Sequence, residues 1–209
     1  MTPPLLFDLD GTLVDSRVVV ERQWGALCAR LGLDFPSVLA ILHGVRSVDT
    51  IRAAAPHVDA EAEAEALDAL EAEDTDGLEI VRGADELLAC LPPGSWGIVT
   101  SGPRTLAEKR LRAVGLPVPA AMVCGDEVAN GKPHPEGYLR ALSVLHEQGV
   151  DAAPAQVVAF EDTEAGVASA KAAGMHCIAV AGTLPPERLA EADSIVPGIG
   201  ESLIRSLLD

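Results

Sequence analysis

Leu5-Leu6-Phe7-Asp8-Leu9-Asp10-Gly11-Thr12-Leu13-Val14-Asp15-Ser16 is the stretch on which the fold turns. Leu5 to Phe7 is a short apolar run, which reads as a strand buried on both faces. It stops at two acidic residues, Asp8 and Asp10, separated by Leu9. Gly11 follows, where the backbone can approach a ligand closely. In an open parallel sheet, ligands bind beyond the C-terminal ends of the strands, so this junction is where chemistry is expected.

Working outward, the same kind of run recurs at Trp96–Val99, Ala121–Cys124, Val157–Phe160, Cys177–Val180 and Ser194–Val196. Amphipathic stretches lie among the later runs, at Pro103–Val114, Pro135–Gln148 and Glu164–Ala173. Strands alternating with helices imply an α/β chain with a doubly wound, parallel, Rossmann-like sheet covered on both faces. The alternation breaks between Ser16 and about Gly83. Val18–Leu31, Ser37–Leu42, Ser47–Ala54 and Ala60–Glu73 all read as helix, with no convincing strand among them. An all-helical insert is therefore expected over residues 16–79, with the core in 1–15 and 80–209. Its hinges would lie near Thr12–Ser16 and Thr75–Gly83. Within it, Glu61-Ala62-Glu63-Ala64-Glu65 reads as a solvated helix face.

The chain carries 32 acidic against 15 basic residues, for a net charge of −17. Such a surface repels nucleic acid and lacks a polybasic membrane patch, so neither is an expected partner. Aromatic residues are only 3%, too few for a base-stacking platform. A small anion can still bind where a metal, a few cationic side chains and helix N-termini concentrate positive charge. Cys28, Cys90, Cys124 and Cys177 form no CxxC pair and have no zinc-type His spacing, which suits free thiols in a reducing compartment. With no signal-peptide pattern at Met1–Asp8 and no apolar run of membrane-spanning length, a cytoplasmic location is expected.

Four polar groups follow four of the strand-like runs: Asp8 and Asp10; Thr100-Ser101-Gly102; Lys132; and Glu161-Asp162. These are the residue types that phosphate monoester hydrolysis needs. The reaction requires a nucleophile, a cation to neutralise the phosphoryl oxygens and an acid to protonate the departing alkoxide. Asp8 suits the nucleophile and Asp10 the acid and base. Glu161 and Asp162 offer hard oxygen ligands of the kind Mg²⁺ prefers. Lys132 can neutralise a phosphoryl oxygen and keep Asp8 ionised. Thr100 and the amides after it can hydrogen-bond the phosphate.

Phe7-Asp8-Leu9-Asp10-Gly11-Thr12-Leu13-Val14-Asp15-Ser16 resembles the first motif of the haloacid dehalogenase superfamily of phosphohydrolases. Thr100-Ser101-Gly102, Lys132 and Glu161-Asp162 are similar to its second, third and fourth motifs. The resemblance implies a phosphatase with Asp8 as nucleophile and Asp10 as general acid and base. It further implies Mg²⁺ held by Asp8, the Asp10 carbonyl and Asp162, with Glu161 acting indirectly or through water. The helical insert would be the family's cap, which closes over the site and sets specificity.

His43-Gly44, Ser47–Ile51, Trp96–Arg104 and Lys132–Leu139 resemble the glycerol-phosphate and 2-deoxyglucose-6-phosphate phosphatases within that superfamily. This implies a small phosphorylated metabolite, a sugar or polyol phosphate, as substrate. Arg46 is the candidate cap residue for reaching it; His43 and His134 read as structural. A β-phosphoglucomutase-like mutase is the main alternative and would share the whole constellation. A dehalogenase would lack the second aspartate, and a silent binding module would have lost Asp8, Asp10 or Lys132. The expected assembly is a monomer or a weak homodimer.

Overall fold

The computed structural model describes residues 3–200 together with 203, 205 and 207. The remaining terminal positions of the expected 1–15 and 80–209 segments lie outside the described residues. Six parallel strands form the sheet: β1 (Leu5–Phe7), β4 (Trp96–Val99), β5 (Ala121–Val123), β6 (Val158–Glu161), β7 (His176–Val180) and β8 (Ser194–Val196). Their order is β5-β4-β1-β6-β7-β8. β1 is thus central, with Phe7 opposite Ile98 on one side and Phe160 on the other. That places Asp8 between the ends of β4 and β6.

Side chains of β1 alternate between two apolar layers, as a strand period of two requires. Leu5 and Phe7 join Leu87, Leu88 and Leu111 from α5 (Ala84–Cys90) and α6 (Arg104–Val114). Leu6 joins Tyr138, Leu142, Leu145 and Val167 from α7 (Glu136–Glu147) and α8 (Glu164–Ala172). Phe7 stacks on Phe160 at 4.9 Å and meets the edge of Trp96 at 6.1 Å. Burying each such side chain contributes about 1.5–3 kcal/mol, and Phe7, Trp96 and Phe160 meet beneath the site, while Trp24 and Phe35 belong to the helical stretch.

Helices α1 (Arg17–Leu31), α2 (Phe35–Leu42), α3 (Ser47–Ala54) and α4 (Ala60–Glu73) follow one another without an intervening strand. They enclose an apolar cluster of their own, with Trp24, Leu27, Val38, Leu42, Ile51 and Leu67 among its members. Their starts follow from capping. The Asp34 and Asp59 carboxylates accept from the Ser37 and Ala62 amides, and Pro36 sits in the first turn of α2. Each cap of this kind contributes about 1 kcal/mol.

Two features were not anticipated. The expected hinges pair with each other as a small antiparallel ribbon, β2 (Val14–Asp15) with β3 (Glu79–Ile80). Two residues are too few to show alternation, so a strand does interrupt the stretch that reads as purely helical. α5 is short and begins at Gly83 without a side-chain cap. No helix among the described residues is long and apolar enough to cross a membrane.

Candidate active site

The turn after β1 is wound tightly. The Gly11 amide donates to the Val14 carbonyl, and the Leu13 and Val14 amides both donate to the Leu9 carbonyl. Gly11 has φ +87°, and a Cβ there would lie 2.0 Å from Asp162 Oδ2. Only glycine lets this backbone pass so close to that carboxylate.

Asp8, Glu161 and Asp162 are buried, with carboxylate oxygens within 4.8 Å of one another. Lys132 Nζ lies 2.5 Å from Asp8 Oδ1 and 2.6 Å from Glu161 Oε1. Burial pushes the Lys132 pKa down, but the two carboxylates outweigh it and hold it above the ordinary lysine value. Burial likewise raises Asp8, with Lys132 opposing. Asp162 is pushed up to about 7, by burial first and by Glu161 second.

Three carboxylates around one ammonium leave an excess of negative charge in a dry site, which is costly unless neutralised. Asp162 Oδ2 is buried without a hydrogen-bond partner, while Oδ1 accepts from the Thr12 hydroxyl at 3.3 Å. A compact, oxygen-only donor set with an orphaned carboxylate oxygen and surplus negative charge fits a small hard divalent cation.

The four groups expected at the strand ends do converge. Asp8, Asp10, Thr100, Ser101, Gly102 and Asp162 line one cleft of about 690 Å³, part of it open to solvent. The Gly102 amide already donates to the Thr100 hydroxyl at 3.1 Å. The Ser101 hydroxyl donates across the cleft to the Gly44 carbonyl at 2.8 Å.

Arg46 lies elsewhere. Its Nε is 2.6 Å from Asp49 Oδ2, and its NH1 group donates to the carbonyls of Val128 and Ala129. It ties α3 to the loop after β5 and does not line the cleft. His134 also acts within the scaffold: its carbonyl accepts from the Ser169 hydroxyl at 2.7 Å. His43 lines the cleft, and burial lowers its pKa.

Three groups escaped the sequence reading. Arg110, 3% exposed, reaches Asp10 Oδ1 at 2.6 Å and Glu71 Oε2 of α4 at 2.5 Å. The available signal is position. Arg110 falls on the buried stripe Leu106-Ala107-Leu111 of α6, and Glu71 continues the stripe Ala60-Ala64-Leu67 of α4. A charge at an apolar helical position marks a buried partner.

The third is Tyr138. Its hydroxyl donates to Glu161 Oε1 at 2.6 Å, and its ring lies 5.7 Å from Lys132 Nζ. Burial, then the Glu161 charge, raises the phenol pKa, so the hydroxyl stays a donor. Tyr138→Phe is expected to cost about 1–3 kcal/mol, the scale for a hydrogen bond to a buried charge. Urea unfolding checks this, and an unchanged midpoint would show that Glu161 does not depend on the phenol.

Residues 5–174 match the haloacid dehalogenase-like hydrolase family. Over 196 residues the chain is 41% identical to hexitol phosphatase A of Escherichia coli (strain K12), covering 91% of this chain and 88% of that protein. It is 36% identical to glycerol-1-phosphate phosphohydrolase 2 of Saccharomyces cerevisiae (strain ATCC 204508 / S288c), covering 89% and 77% of the two chains. Among solved structures, β-phosphoglucomutase from Clostridium difficile superposes with a TM-score of 0.79, covering 99% of this chain and 97% of that one at 21% identity.

Proposed function

The chain belongs to the haloacid dehalogenase-like hydrolases, and from that premise we infer that it is a phosphatase hydrolysing a small sugar or polyol phosphomonoester through an aspartyl phosphate on Asp8. The observation that carries this reading is the meeting of Asp8, Lys132, Glu161 and Asp162 at the centre of the sheet edge, within the distances given above. The relatives named for hexitol and glycerol 1-phosphate support the substrate class.

In this reading Asp8 attacks phosphorus, the bond from phosphorus to the leaving oxygen breaks, and Asp10 protonates that oxygen. Water then attacks the aspartyl phosphate while Asp10 takes its proton, which frees inorganic phosphate and restores Asp8. Lys132 holds Asp8 ionised and offsets a phosphoryl charge, and Thr100, Ser101 and Gly102 border the phosphate. Asp8, the Asp10 carbonyl and Asp162 would hold Mg²⁺, which would supply the positive charge that lets a carboxylate approach a phosphate.

Residues 16–79 are assigned as a cap over a core formed by 1–15 and 80–209; the separate apolar cluster of α1–α4 supports that division. The four free cysteines fit a reducing, cytoplasmic setting. A phosphomutase would share the constellation, but the likeness to β-phosphoglucomutase, at 21% identity, is one of fold alone.

Inorganic phosphate release from a panel of sugar and polyol phosphates, without a bisphosphate activator, tests the proposal. Release is expected with Mg²⁺, poorly with Ca²⁺, and about two orders of magnitude or more below the Mg²⁺ rate in excess chelator. Full turnover after verified metal removal would exclude the metal's role. No release from any member of the panel would overturn the function.

A further inference from the structure

We propose that Glu71 is a specificity-determining residue whose carboxylate binds a hydroxyl of the substrate's leaving alcohol and disfavours leaving groups that carry negative charge. The proposal rests on the phosphatase reading above and extends it to the part of the substrate beyond the phosphate.

Glu71 is 4% exposed and continues a helical stripe otherwise made of Ala60, Ala64 and Leu67. A carboxylate in such a place loses hydration that only partners can replace. Arg110 replaces half of it, pairing with Oε2. Oε1 is buried with no hydrogen-bond partner, and Glu71 lines the cleft that holds Asp8 and Asp10. One polar atom of a nearly fully buried side chain is therefore left for a ligand to satisfy.

The position of Glu71 says which part of the ligand it meets. Arg110 joins it to Asp10, with Asp10 Oδ1 at 2.6 Å from the same guanidinium. Asp10 serves the leaving oxygen, whereas Lys132 and Asp8 serve phosphorus on the core side. Glu71 comes from α4, so it faces atoms beyond the ester oxygen. Trp24, Leu42 and Val45 line the same cleft with apolar surface, and the Ser47 hydroxyl there is already donated to Asp68 at 2.7 Å.

A hydroxyl supplies the missing hydrogen bond. A leaving group carrying a carboxylate or a second phosphate brings like charge to a buried carboxylate instead. Burial raises the Glu71 pKa to about 7, with Arg110 opposing. In either protonation state Oε1 can hydrogen-bond a hydroxyl, and the ionised form adds the repulsion. A site built to bond a hydroxyl discriminates strongly, because without it a buried group stays unpaired.

The test compares kcat/KM for glycerol 1-phosphate, propyl phosphate and 2-phosphoglycolate in the wild type, Glu71→Gln and Glu71→Asp. In Glu71→Gln the amide can still hydrogen-bond a hydroxyl, so the preference for glycerol 1-phosphate over propyl phosphate should persist while relative use of 2-phosphoglycolate rises. Glu71→Asp keeps the charge but withdraws the oxygens, so its preference for glycerol 1-phosphate over propyl phosphate should fall about tenfold or more, carried mainly by KM, while it still discriminates against 2-phosphoglycolate. Circular dichroism verifies that both variants fold; if Glu71→Gln does not, Glu71→Asp carries the test. Equal losses on glycerol 1-phosphate and propyl phosphate in Glu71→Asp, or unchanged discrimination against 2-phosphoglycolate in Glu71→Gln, would overturn the proposal, showing that Glu71 acts only through Arg110 and Asp10. A wild type that releases phosphate from none of the three, nor from the wider panel, would instead overturn the phosphatase reading beneath it.

Discussion

Asp8→Asn is expected to abolish turnover, with a loss on the order of a millionfold, the scale seen when a covalent nucleophile is removed. An amide is a poor nucleophile and a poorer ligand for a hard cation, so binding of metal and formation of the phosphoenzyme fail together. The fold should survive. The variant removes one of three clustered carboxylates, and Lys132 retains Glu161 at 2.6 Å. Phosphate release measured beside a thermal melt separates these effects. Near-normal turnover in a folded Asp8→Asn protein, or phosphate label on another residue, would show that the nucleophile lies elsewhere.

Asp10→Asn should lower turnover of an alkyl phosphate by about a hundredfold to ten-thousandfold, the usual cost of losing general acid–base help. The variant keeps the backbone carbonyl at this position, and its amide oxygen can still accept from Arg110, which bonds Oδ1 in the parent protein. What disappears is proton transfer. The loss in kcat/KM, which reports phosphorylation of Asp8, should therefore be smaller for an aryl phosphate, whose leaving group departs without a proton, than for propyl phosphate. Rapid-quench labelling with an activated donor should also show a phosphoenzyme that persists, because water loses its base. Equal losses of kcat/KM on both leaving groups, with no phosphoenzyme accumulating, would assign Asp10 a structural role.

The sheet and its edge were legible because its strands are built on short apolar runs that stop near the polar residues; β8, exposed at Ser194 and Ile195, is the weakest of them. Asp8, Thr100, Lys132 and Asp162 each follow such a run, and the parallel order of β5-β4-β1-β6 brings them together. Lys132 is nine positions past β5, yet it sits between Asp8 and Glu161.

The wiring between side chains was not legible. Arg46 offers a positive charge just before α3, and nothing in its spacing reveals that Asp49 and backbone carbonyls engage it. Arg110 and Glu71 are 39 positions apart in the chain, so their pairing exists only once α4 packs against α6. β2 and β3 escaped for a different reason: a two-residue ribbon has no pattern to detect, and its pairing is fixed by where the rest of the chain returns.

That ribbon has a consequence for how such a chain can change. Val14 lies opposite Ile80 and Asp15 opposite Glu79, so the backbone leaves the sheet-bearing part and re-enters it at adjacent points. Everything between is attached like a module in a socket. A different module, or a bare hairpin turn, could be spliced across the same two positions without lengthening the core backbone. On the proposed assignment, chemistry at Asp8 and recognition by the intervening helices can diverge largely separately, coupled through the few contacts that cross between them, such as Arg110–Glu71.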